Sequence, residues 1–180
     1  ARPRQWGSVR VSAQTPVVTY AIIGVCVALW VGDILTKGVI TQYLGFTPIH
    51  GLYQPWRILT TAFLHVNLMH IAFNMVSLYA VGRALEPALG RGPYFCLYLL
   101  SALGGTLGVL GWVLIDPSSA LTVTVGASGA IFGLFGSVFV LQRAAGIDVR
   151  AVARLLAVNL LYGFIVSGVS WQAHLGGLLF

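Results

Sequence analysis

The chain has 180 residues, 58% of them hydrophobic and only 8% charged, against about a quarter charged in an ordinary soluble domain. A water-soluble fold of this size would leave large apolar patches facing solvent, so the composition indicates a chain that crosses a membrane several times. The formal charge of +6 comes from ten Lys and Arg against four Asp and Glu; they are scattered, with no basic run and no interleaved aromatics, which argues against a nucleic-acid partner.

Spanning the hydrocarbon core takes about 20 apolar residues. Six candidate spans follow one another, which predicts an all-α, polytopic membrane helix bundle. A polar, basic segment over 1–15 is expected to be cytoplasmic, and 16–180 to form the membrane domain. The first span covers 16–35, where proline is tolerated at the helix start. It lacks a small-residue cleavage site and reads as a retained helix rather than a signal peptide. The connector over 36–61 holds Gly38, Gly45, Pro48, Gly51 and Pro55 among several aromatics. It is too broken to span and too apolar for a solvated loop, so it is expected in the membrane interface. Further spans are expected over 62–83, 93–115, 126–142 and 151–167. The sixth, over 170–180, has about half the length needed to cross, so the natural protein is expected to continue past Phe180. Cys26 and Cys96 both fall mid-span and read as small buried hydrophobes rather than a disulfide.

Six spans with the N-terminus inside place Arg2, Arg4, Arg10, Arg83, Arg91, Arg143, Arg150 and Arg154 on the cytoplasmic side. Lys37 and Arg57 fall outside. That bias fits the positive-inside rule and predicts a cytoplasmic N-terminus in a cell membrane.

Spans two, four and six then all run inward, and each carries its unusual polar residues in its first turns. These are His65, His70 and Asn74, then Ser128, then His174. At 1.5 Å per residue they lie within roughly 5 to 13 Å of the outer helix ends. Histidine inside a membrane segment is rare and usually functional. His70 and Asn74 are four apart and share a face. His65, five before His70, falls about 140° away and is assigned a structural contact. Gly129 and Gly133 share a face and would let a neighbouring helix approach closely, as Gly177 would beside His174.

This layer suits acyl transfer. Serine attacks only after a base takes its proton, and a neutral imidazole can do so. Asp33, Glu86, Asp116 and Asp148 all fall near helix ends or in loops, which leaves Ser128 and His174 as a dyad. Backbone N–H groups at the start of the Ser128 helix favour negative charge. With the Asn74 amide and the His70 ring they form a candidate oxyanion site.

These residues resemble the rhomboid family of intramembrane serine proteases. The matching pieces are Gly126-Ala127-Ser128-Gly129, Ala173-His174-Leu175-Gly176-Gly177, and the run from His65 through His70 to Asn74. Trp56-Arg57 and Glu86-Pro87-Ala88-Leu89-Gly90 also resemble family features. The resemblance implies six helices around a water-filled cavity open to the outside. It further implies cleavage of membrane-anchored proteins near the outer ends of their transmembrane helices. Ser128 would be the nucleophile, His174 the general base and then acid, and His70, Asn74 and the Ser128 amide the oxyanion donors. Phe132 stands where many bacterial members have tyrosine; its ring can stack on His174 but brings no hydroxyl.

Simpler readings exist for single residues. Ser128 alone suits helix packing, His174 alone a polar interhelical contact, and His50 the membrane interface. Trp56 and Arg57 read as anchors of the connector, and Arg83 with Glu86 as an interfacial ion pair. A zinc site from His65, His70 and His174 lacks the spacing and any His-Glu-x-x-His pattern, so no metal or cofactor is expected. The expected partners are transmembrane protein substrates and the bilayer. The alternatives are a catalytically inactive rhomboid-like protein that binds or moves membrane clients, and a small transporter. The transporter would need broken helices and an inverted repeat, which the sequence lacks.

Overall fold

The computed structural model describes residues 15–166 and 168–180. The expectations for 1–14 and for Ser167 lie outside the described residues. Within them the chain is an all-α bundle. Its main helices are α1 (Val17–Leu35), α5 (Leu68–Leu89), α6 (Arg91–Trp112), α7 (Ser128–Ala144), α8 (Arg150–Ile165) and the shorter α9 (Trp171–Leu179). Of these, α1, α5 and α6 are each long and apolar enough to cross a membrane, and α7 is a shorter apolar helix.

The first turn of α1 has backbone N–H groups with no partner inside the helix. Glu86 supplies one from α5: its carboxylate accepts from Val18 N at 2.9 Å, Thr19 N at 2.8 Å and Thr19 Oγ1 at 2.8 Å. Tyr94 of α6 joins through its hydroxyl, 3.1 Å from Thr19 Oγ1. This corrects the expected Arg83–Glu86 ion pair. Glu86 turns into the bundle and is buried, whereas the Arg83 guanidinium lies over the Tyr79 ring, 5.2 Å from its centroid.

The connector is more ordered than its composition suggests. It folds into three short helices, α2 (Val39–Leu44), α3 (Pro48–Gly51) and α4 (Arg57–Thr60). Arg57 Nη1 donates to Gly45 O at 2.6 Å, and Trp56 Nε1 to Tyr43 O at 3.3 Å. Phe46 and Thr124 exchange backbone hydrogen bonds, which tie the connector to the segment entering α7. Phe46 is buried, while Tyr43, Leu52, Tyr53 and Trp56 stay exposed as interfacial aromatics and aliphatics would.

Helix α5 begins six residues later than expected. A 3-10 turn over Thr61–Phe63 ends in extended backbone at Leu64, and Asn67 caps the new helix by accepting from His70 N at 2.8 Å. It also ends later, passing through Pro87 to Gly90, whose φ of 84° stops it. Pro87 sits in the last turn, where it leaves Arg83 O without its i→i−4 donor, and α5 ends two residues on at Leu89.

The tightest packing joins α6, α7 and α9, and glycine makes it possible. A Cβ on Gly108 would lie 2.4 Å from Gln172 O, and one on Gly177 would lie 2.0 Å from Gly129 O. These backbones touch directly. Helix α8 is held more loosely: Gly163 is its only buried residue among those described. The two cysteines part company, Cys26 being buried and Cys96 exposed on α6.

Candidate active site

Three helix N-termini meet at one level of the bundle. Ser128 is the first residue of α7, and no side chain caps that helix, so its first-turn N–H groups are unclaimed by capping. Gly126 precedes it at φ 135°, a conformation that glycine adopts and L side chains rarely do. A Cβ there would lie 2.8 Å from His70 Nε2 and 3.7 Å from Ser128 Oγ. The bare glycine is thus what lets the His70 ring sit beside the turn that carries Ser128. Gly126 N also donates to Thr61 O at 3.0 Å, which fixes the turn to the end of the connector.

His174 occupies the second turn of the short helix α9, which Ser170 caps by accepting from Ala173 N at 3.3 Å. The imidazole is buried and lies flat on Phe132, with ring centroids 4.2 Å apart and 12° between planes. Phe132 is one turn on from Ser128 along the same face of α7. The contact between α7 and α9 is set by Gly129, whose Cβ would lie 3.0 Å from Ala173 O, and by Gly177. Ser128 and His174 are thus the immediate chain neighbours of two touching residues, Gly129 and Ala173. No hydrogen bond joins their side chains among the described residues, and His174 Nδ1 is buried without a partner. Catalytic contacts in a ligand-free site are commonly long and close only in the complex.

Asn74 is buried one turn below His70 and donates Nδ2–H to His70 O at 2.8 Å. A side-chain amide carries two N–H donors, so one remains. His65 does not belong to the helix that carries His70, and the helical-angle argument for it therefore does not apply. It lies in the extended stretch before α5, is buried, and sets its ring edge-on to His70 at 5.0 Å. His50 stays in the connector, its Nδ1 2.7 Å from Thr47 Oγ1.

Two residues beside the site were not singled out from the sequence. Gly163 of α8 would, with a Cβ, come within 3.1 Å of Trp171 Cβ and 3.4 Å of His174 Nδ1. Gly105 of α6 backs the contact between α7 and α9, with Gly129 Cα 3.5 Å from its Cβ position. The Gly104-Gly105-x-x-Gly108 pattern signals such a close approach; nothing local signals Gly163.

Comparison with known proteins points to one family. A family model described as a rhomboid domain covers residues 52–180. Rhomboid protease GluP of Bacillus subtilis is 33% identical over 132 residues, 69% of this chain and 24% of that protein. YdcA of the same organism is 35% identical over 176 residues, covering 91% of this chain and 83% of its own length. Rhomboid protease AarA of Providencia stuartii is 28% identical over 148 residues, 69% of this chain and 52% of that protein. The chain thus spans about a quarter of GluP's length. With the family model covering well over half of its residues and three helices long and apolar enough to cross a membrane, the chain is a multi-pass membrane protein and belongs to the rhomboid family.

Proposed function

We propose that the chain is an intramembrane serine endopeptidase that cuts transmembrane-anchored proteins near the extracellular membrane face. Ser128 Oγ attacks the scissile carbonyl while His174 takes its proton, and the same imidazole then protonates the leaving amine. The oxyanion is met by first-turn N–H groups of α7, by the free N–H of Asn74 and by His70 Nε2. The observation that carries this reading is the flat stacking of His174 on Phe132, one turn along α7 from Ser128. It holds the base on the nucleophile's own helix. The protease names of GluP and AarA support the same class of reaction. Localisation to the cell membrane with a cytoplasmic N-terminus, and a membrane domain over 16–180, complete the proposal.

The second reading is a rhomboid-like protein that binds or moves clients without cutting them. The missing hydrogen bond between Ser128 and His174 favours it; retention of both residues favours the enzyme. Purified protein reconstituted with a membrane-anchored substrate decides. We expect cleavage that Ser128→Ala abolishes without changing helix content. Equal cleavage by the Ser128→Ala protein would remove the assigned nucleophile, and no cleavage by wild type would favour the non-enzyme.

A further inference from the structure

The chain entering the Ser128 turn is held from outside by one residue. Thr61 closes the connector, opens the 3-10 turn over Thr61–Phe63, and is buried. A backbone carbonyl has two lone pairs, and Thr61 O uses both: Leu64 N donates to it at 3.2 Å and Gly126 N at 3.0 Å. The first bond shapes the chain on its way to His65 and His70; the second holds the turn ahead of Ser128. The Thr61 hydroxyl donates to Thr124 O and accepts from Phe46 N at 3.4 Å.

One residue thus grips positions 124 and 126, on either side of Val125. A single hydrogen bond would leave the segment free to pivot about it. Two bonds from one residue, whose branched side chain is stiff at χ1, remove that freedom. The clamp stands on a fixed base, because the next carbonyl, Ala62 O, accepts from the buried Tyr98 hydroxyl of α6 at 2.9 Å.

Gly126 needs such a clamp. At φ 135° it holds one of many conformations open to glycine, so its own backbone does not select the one observed. Two residues later Ser128 begins α7, and the direction of the first-turn N–H groups follows from the turn. We propose that Thr61 is a positioning residue for the oxyanion site: its hydroxyl and carbonyl together set the Gly126 turn, and with it the start of α7, against the His70 ring. The kinetic consequence rests on the protease reading above; the setting of the turn rests on these hydrogen bonds alone.

Thr61→Val keeps the shape and the carbonyl and removes only the hydroxyl. Phe46 N and Thr124 O remain paired with each other at 3.2 Å, so neither is stripped of its partner. Thr61→Ser keeps the hydroxyl. With a membrane-anchored substrate, Thr61→Val should lower kcat about fivefold at unchanged KM, the worth of one net hydrogen bond realised in the transition state. Thr61→Ser should restore the rate. Hydrogen exchange of the substrate-free protein gives a readout besides activity: peptides over 122–128 should exchange faster in Thr61→Val, while those of α1 keep the wild-type rate. Wild-type kcat in Thr61→Val, unchanged exchange over 122–128, or faster exchange spread equally over all helices would overturn the proposal. If wild type cuts nothing, the protease reading fails by itself; faster exchange confined to 122–128 would still support the clamp, and its absence would remove it. Should Thr61→Val fail to fold, Thr61→Cys, whose thiol is a weak donor, takes its place with the same outcomes.

Discussion

The Phe132 ring and the His174 imidazole lie face to face, 4.2 Å apart and 12° from parallel. In the proposed dyad no carboxylate orients the base, and this contact is proposed to do so. Phe132→Ala should therefore lower kcat more than it changes KM. An aromatic pair contributes about 0.5–1.5 kcal/mol beyond its buried area, which is roughly a 2- to 12-fold loss in rate. Phe132→Tyr keeps the stack and should keep the rate. Steady-state kinetics on a membrane-anchored substrate separates the two variants.

In the proposed mechanism Asn74 acts on charge that appears only in the transition state. Asn74→Ala should cut turnover about a hundredfold while leaving substrate affinity nearly unchanged, as loss of one oxyanion donor does elsewhere. The same change removes the Nδ2–H bond to His70 O. A far-UV spectrum and melting curve alongside the kinetics test whether the helix survives. An unchanged turnover number would take Asn74 out of the oxyanion site.

Gly163 brings the loosely held helix α8 against His174, the proposed base. Its missing side chain leaves room for Trp171 and for His174 Nδ1, and Phe164 stacks on Trp171 at 4.4 Å beside it. Alanine needs the neighbours to give by a few tenths of an ångström and should be nearly silent. Valine cannot fit without displacing α8 or the imidazole, and displacement of a reacting group by about 1 Å costs on the order of a hundredfold in rate. The ordering glycine, alanine, valine in kcat is the expected result.

Glu86 is a stability residue. Glu86→Ala strips three hydrogen bonds from the start of α1. It leaves two backbone N–H groups there without that acceptor, at a cost of about 1–3 kcal/mol each when buried. Glu86→Gln keeps one acceptor oxygen and should lose about half as much. Thermal unfolding in detergent measures both, and a melting point unmoved by Glu86→Ala would contradict the assigned cap.

How much of this was readable beforehand depended on distance along the chain. Gly129, Gly133 and Gly177 were legible as close-approach positions because small residues at helical spacing have one main use in a membrane. Spacing placed Phe132 on the face of Ser128, and its stacking on His174 was legible only through the family resemblance. The start of α5 was not, since the apolar run continues back to Ala62 and only the Asn67 cap and the extended backbone at Leu64 interrupt it. Glu86 looked like a local partner of Arg83, three residues away. Its true partners stand 67 and 68 positions earlier, beyond anything spacing reveals. Gly163 was hidden for the same reason: its role exists only once α8 meets α9.

In the proposed mechanism His174 activates Ser128, and a serine-directed fluorophosphonate reads that directly. Intact-mass and peptide analysis of treated wild-type protein should find one adduct, on Ser128, with labelling lost in His174→Ala and slowed in Phe132→Ala. Labelling of Ser128 that proceeds equally fast without His174 would contradict the dyad.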